Sequence, residues 1–285
     1  MADGHPSTDP AIEGVFRRPF DEQVAFFRNK MGNLVPTERW DDMLREEHDR
    51  GFMVAGAAKA DLLADLAAAV DKMIAQGTGL EEFRKDFRAI VAKHGWTGWT
   101  GEGSVKGEAW RVKVIARTNM MTSYAAGRRV QLLEGNFAFW VYRHGGSLEP
   151  RPHHLSWDGI ALPPDHPFWK THYPPSDWGC SCYVVGARSE RAVRRLGGDP
   201  DKRLPDNWQQ LDPRTGAPLG IGRGWDYAPG ASVADTVRAL AGKQEKWPEP
   251  VAQGFRKELT PERRRQLEQA LADIRALKAQ SESRP

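Results

Sequence analysis

Leu62, Leu63, Leu66, Val70, Met73 and Ile74 recur at steps of three and four residues, which predicts an amphipathic helix over Lys59 to Ala75. Ahead of it, Asp21 reads as the N-cap of a short helix, Glu22 to Met31. Pro36-Thr37 restarts the chain into a second helix with Trp40, Met43 and Leu44 on its buried side. Behind it, Thr78-Gly79-Leu80-Glu81 has the form of a capping box, with Thr78 as N-cap and Glu81 reaching back. That box opens a helix carrying Phe83, Phe87, Ile90 and Val91, which stops near Gly95. The Gly-rich run Trp96 to Gly107 interrupts the periodicity and marks a boundary.

The pattern then changes. Glu108 to Leu133 reads as one long helix with Trp110, Val114, Met121, Ala125 and Leu132 along one face. Phe137 to Arg143 is aromatic and β-branched, a strand pattern, and Tyr183 to Val185 is a second short strand. Between them, Arg151 to Cys182 breaks helix repeatedly. Ser189 to Leu196 is a basic helix ended by Gly197-Gly198. Asp199 to Gly230 is rich in Pro and Gly without a clear period and reads as loosely packed. Thr260, Pro261, Leu267, Leu271, Ile274 and Leu277 predict a terminal amphipathic helix. The fold class expected is α+β, in three parts. These are a helical N-terminal region (1–103), a central module with short strands and a loop-rich His/Cys segment (104–187), and an irregular C-terminal extension (188–285) holding the basic helix and ending in a helix.

Composition narrows the class. A hydrophobic content of 40% with 28% charged residues fits a globular protein. The net charge of +3 does not by itself imply nucleic-acid binding. No apolar run approaches the roughly 18 residues of a membrane span, and Met1 to Gly14 has neither the basic nor the apolar region of a secretory signal. Met1 to Pro10 and Gln280 to Pro285 read as frayed tails. Two cysteines do not make a disulfide framework, so folding in a reducing cytoplasm is expected.

Chemistry concentrates between Arg151 and Cys182, which holds both cysteines and His153, His154, His166 and His172. In an extended Cys180-Ser181-Cys182 both thiols point to one side, as a shared metal ion requires. Zinc takes Cys and His ligands tetrahedrally. His154 is the preferred third ligand, and the fourth is open between Asp158, His172 and His153. The plainer reading is two buried cysteines in a short strand. A third makes the cluster catalytic, a Cys/His nucleophile or a metal-dependent hydrolase (nuclease or peptidase), although no such family signature surrounds it. Trp157, Phe168, Trp169, Tyr173 and Trp178 read chiefly as filling for a loop-built core. Arg117, Tyr124 and Arg128 share a helix face and either meet the loop segment or stay solvated. Arg188, Arg191, Arg194, Arg195, Lys202 and Arg203 form a basic patch, more readily a solvated helix than a phosphate site. Gly220 to Trp225 does not fit a nucleotide-binding glycine loop.

The order of these features carries a resemblance. A helix with Arg117 and Gly127-Arg128 is followed by an aromatic strand. Then come His154, Asp158-Gly159, Trp169, Pro174-Pro175, Gly179, Cys180 and Cys182. This arrangement resembles the phage head morphogenesis family, the minor head proteins similar to the F protein of phage Mu. The resemblance covers Val112 to Val185 and extends loosely to the N-terminal region. It departs from the family at Ser181, where a basic residue is usual, and around Gly145 to Leu148, where an Asp is usual. It implies a non-enzymatic minor capsid protein of a phage or prophage, acting at the portal vertex of the virion head after assembly in the host cytoplasm. The implied partners are the portal protein, scaffold or major capsid components and packaged DNA, with no membrane.

Overall fold

The computed structural model describes residues 19–233 and 247–259, with Arg264, Arg265, Leu267, Glu268, Gln269, Leu271 and Ala272. The expected caps Thr260 and Pro261, the stripe residues Ile274 and Leu277, and both expected tails lie outside these residues. The fold is α+β. Among the described residues, no helix is long and apolar enough to cross a membrane.

The helical part contains α1 (Asp21–Met31), a one-turn α2 (Glu47–Arg50), α3 (Ala60–Gln76), α4 (Leu80–His94) and the 30-residue α5 (Val105–Glu134). The periodic residues of α3 are all buried. They meet Phe83, Phe87 and Ile90 of α4, Val24 and Phe27 of α1, and Val112, Ile115 and Ala116 of α5 in one core. Gly77 and Gly95 end α3 and α4 in left-handed conformations that glycine adopts without a Cβ penalty.

Four local expectations change. The helix after Pro36 is absent: residues 38–46 are turns and bends, Arg45 has φ 55°, and Trp40 is exposed although Met43 is buried. A left-handed residue stops a right-handed helix from propagating. Phe20 occupies the N-cap position of α1 without a side-chain cap bond, so Asp21 is its first helical residue. Gly79, not Thr78, caps α4, and Glu81 pairs with Arg84 instead of reaching back. On α5, Ala125 and Leu132 are buried as expected, but Trp110 is 51% exposed. The buried face includes Val112, Ile115 and Ala116 and, further along, Ser123, Ala126 and Gly127, small enough for α1 to approach closely.

The second half of α5 leads into a three-stranded antiparallel sheet of order β2-β1-β3, with β1 Phe139–Arg143, β2 Ala161–Leu162 and β3 Tyr183–Ala187. The register pairs Val141 with Ala161 on one side and Tyr142 with Val184 on the other. Alternation along β1 sends Val141 to one face, against Val193 of α8 (Glu190–Arg195). Trp140 and Tyr142 go to the other face. There Trp140 meets Trp169 and Tyr173, and Tyr142 meets Trp157 and Phe168. Two short helices, α6 (Pro152–Trp157) and α7 (Phe168–Thr171), deliver these rings. The expected role of the aromatics as core filling holds for all of them except Trp178, which is 38% exposed.

Residues 199–230 are not loosely packed. Ala217, Ile221, Trp225, Tyr227 and Ala228 are buried, and Trp208 lies edge-on to Phe168 and His172. The chain divides into two compact units, one ending at Pro229 and one beginning at Gly230. In the second, Trp247 packs on Phe255 of α9 (Glu249–Glu258).

Candidate functional site

The floor of the site is β1 and the start of β3. Pro152 sits in the first turn of α6, where its missing N–H costs nothing. Three residues apart on that helix, His154 and Trp157 share its buried face. Their rings stack at 5.2 Å. Cys180 and Cys182 lie just ahead of β3. The backbone crosses so tightly there that a Cβ on Gly145 would collide with the Ser181 carbonyl.

His154, Cys180 and Cys182 come together. They are 2, 3 and 4% exposed, and one ligand atom from each lies within 4.8 Å of the others. His154 Nε2 is 2.9 Å from the Gly220 carbonyl. A carbonyl only accepts, so Nε2 carries the proton and the Nδ1 lone pair faces the sulfurs. Nδ1 is 3.6 Å from Cys180 Sγ and 3.8 Å from Cys182 Sγ. A tetrahedral zinc with ordinary Zn–S and Zn–N bonds would separate sulfur from nitrogen by about 3.6 Å. The donor set, the spacing and a carbonyl fixing the histidine tautomer all suit a metal ligand set. Gly220 is part of this: it has φ +87°, and a Cβ there would strike the His153 side chain.

The electrostatics are those of one shared charge. The hydrogen bond from Cys182 and the nearby His154 hold the Cys180 thiol down to about 4, against burial. Cys182 is pushed up by that same bond, with burial adding to it. Tyr142 is pushed well up by burial, and its hydroxyl faces Cys182 and Ser176 without hydrogen-bond geometry to either. Ser176 Oγ is likewise buried without a partner.

The other expected ligands lie elsewhere. Asp158 is not in the cluster: its Oδ1 accepts from Arg143 Nε at 3.0 Å and from His144 N–H at 2.7 Å. Burial opposes ionisation of Asp158, but those two donors outweigh it and hold its carboxyl below the usual range. His153 is exposed and leans on Trp157. His172 is fully buried, with Nδ1 2.8 Å from Thr171 Oγ1, and burial lowers it to about 3. His166 packs on Trp208. On α5, Tyr124 meets Phe20 and Arg128 donates to Gln131 rather than to the loop segment. In the basic patch, Arg194 pairs with Glu190 and Asp201, Lys202 donates to the Asp158 carbonyl, and Arg188 lies over Phe137. Tyr142, Ser176 and Gly220 belong to the site but carry no local sequence signal. Strand pairing brings in Tyr142, a return of the chain from 66 residues beyond His154 brings in Gly220, and Ser176 stands in the loop just ahead of the cysteines.

The site is thus a buried His/Cys cluster on a small antiparallel sheet, roofed by aromatic rings and joined by one long helix to a helical core. Residues 64–185, which include the whole cluster except its Gly220 cover, match the family described as Phage Mu protein F like protein. Over that stretch the chain is Mu F-like. It is 32% identical over 232 residues to the Mu-like prophage FluMu F protein of Haemophilus influenzae, covering 73% of this chain and 56% of that protein. It is 29% identical over 256 residues to the Escherichia phage Mu protein named "Putative capsid assembly protein F", covering 80% and 58%. The chain thus spans a little over half the length of these relatives. No solved structure matches it.

Proposed function

We propose that this protein takes part in phage head assembly as a minor capsid component, in an active phage or a prophage. The observation that carries the proposal is the similarity along 80% of the chain to the phage Mu protein named for capsid assembly. Its place is the portal vertex, with portal, scaffold or major capsid proteins as partners. Contact with packaged DNA falls to the exposed Arg191 and Arg195 of α8. The role is structural, not enzymatic. His154, Cys180 and Cys182 would hold a zinc ion that ties α6 to the start of β3. A cluster buried under Trp157 and Gly220 suits a structural ion better than a hydrolytic centre, which keeps an open, reachable position.

Co-expression with the portal and major head proteins of the same genome tests the assignment. The chain is expected to co-purify with the portal and to be present in isolated heads. Its absence from both, with the protein folded, overturns the reading. A hydrolytic activity lost in a folded Cys180→Ala variant that still assembles would favour an enzyme instead.

A further inference from the structure

Away from the His/Cys cluster, a cavity of about 610 Å³ opens between the turns around residues 38–55, the exposed flank of α5 and residues 223–227. Its size is that of a ligand or side-chain pocket, commonly 300–1,000 Å³. Its walls are mainly apolar, and three tryptophans stand at it: Trp110, 51% exposed, with Trp40 and Trp178, each 38% exposed. Trp40 and Trp178 meet edge to face, and Trp178 does the same with the buried Trp225. Indole rings left in water beside an apolar hollow are unusual for a free surface, whereas Trp and Arg dominate the energetic centres of protein interfaces.

The charged groups at this cavity are not equivalent. Arg39 and Arg223 both reach Asp41, so a carboxylate already serves them. Arg111 lines the same cavity and is only 6% exposed. It donates from Nη2 to the Ala55 carbonyl and lies over the Trp96 ring. Its Nε has no hydrogen-bond partner, and among the described residues no carboxylate pairs with it. A buried guanidinium without an anion is costly. Beside an open apolar hollow, this arrangement calls for an incoming anion. Lys30, also buried and lining the cavity, has Asp49 as its counter-charge, and Glu38 lines the cavity without pairing with Arg111, so Arg111 carries the argument.

We infer that this cavity is a docking site for a segment of a partner protein, one that inserts a large apolar or aromatic side chain and sets an adjacent carboxylate against Arg111. The Trp rim grips the side chain, and the carboxylate supplies the missing partner of the guanidinium. Binding of this kind does not depend on the metal proposed at the His/Cys cluster, nor on the assembly role.

Two capped hexapeptides, Gly-Ser-Trp-Glu-Ser-Gly and Gly-Ser-Trp-Gln-Ser-Gly, test it by titration calorimetry against the full chain. The Glu peptide is expected to bind at least tenfold more tightly, since only it carries the anion. Arg111→Met should abolish that preference. Should that variant fail to fold, Arg111→Lys must reduce it, because lysine lacks the planar fork of donors. Trp110→Ser should weaken both peptides at least tenfold without changing the thermal midpoint, since the ring is half exposed. Equal binding of the two peptides, no binding of either, or a preference surviving in Arg111→Met overturns the inference. So does a concentration-dependent dimer abolished by Trp110→Ser with no peptide bound, which would make the occupant a second copy of the chain.

Discussion

A buried lysine and a half-buried carboxylate give the fold two pH dependences of opposite sign. Lys30 is 4% exposed, and burial pulls its ammonium down to about 8, with Asp49 opposing. An unfolded lysine titrates near 10.4. Between those values the unfolded chain holds the proton and the folded one does not, so stability rises with pH across that window. Wild-type protein should therefore gain on Lys30→Met by up to about 3 kcal/mol between pH 8 and 10.5. Urea unfolding of both proteins at several pH values measures the slope. The offset at pH 7 is not diagnostic, because the substitution also removes the attraction to Asp49. No relative gain above pH 8 sinks the idea. Asp158 has the opposite sign. Its depressed folded value, with the His144 N–H and Arg143 outweighing burial, gives stability that is fully present above the unfolded value near about pH 4 and is lost below it, as pH falls through the folded value. Asp158→Asn should cost about 1–2 kcal/mol at pH 7. That cost should shrink toward zero in melts near pH 2, and a gap that persists there would contradict the assignment.

At the scale of elements, the contact of α1 with α5 rests on the smallness of Gly127. A Cβ there would sit 2.7 Å from the Gln23 backbone nitrogen and 3.0 Å from the Phe20 ring. Gly127→Val should push the helices apart and cost roughly 1–3 kcal/mol despite valine's better helix propensity. Chemical denaturation reads this directly, and an unchanged midpoint would mean that the helices shift freely. The same contact explains what could be read in the chain. The stripes of α3 and α4 were legible because large aliphatic and aromatic residues mark their buried faces. From Ala116 to Gly127 the buried face of α5 is written in Ala, Thr, Ser and Gly, so Trp110 misleads. The turns around Arg45 depend on a left-handed residue that no periodicity announces. In the site, the paired cysteines and His154 were legible from spacing and residue type. Asp158 was not separable from them, because its distance from the sulfurs depends on the turn between α6 and β2. Tyr142 and Gly220 were invisible, because strand pairing brings the one to the sulfurs and a distant return of the chain brings the other to His154, and nothing in residue type singles out the nearby Ser176.

At the scale of the molecule, the cluster ties together parts of the chain that are far apart in sequence. His154 comes from α6, the sulfurs from the start of β3, and the carbonyl that orients His154 from Gly220. A metal there would close two loops of the chain around one point. Its binding energy would then be folding energy for the whole sheet module. Protein purified without chelator should carry about one zinc per chain. His154→Ala and Cys182→Ser should each lose the ion. Strong chelation should destabilise the module by more than about 4 kcal/mol, the range reserved for loss of a metal or similar device. Hydrogen exchange would then accelerate together in β1, β3 and the 217–225 segment, while α3 and α4, buried in their own core, stay protected. If the cysteines only pack, the outcome separates cleanly. No metal is found, chelator changes nothing, and Cys182→Ser costs only the few kcal/mol of a buried side-chain replacement. Elemental analysis combined with exchange before and after chelation therefore distinguishes a zinc-fixed module from one held by its aromatic core alone.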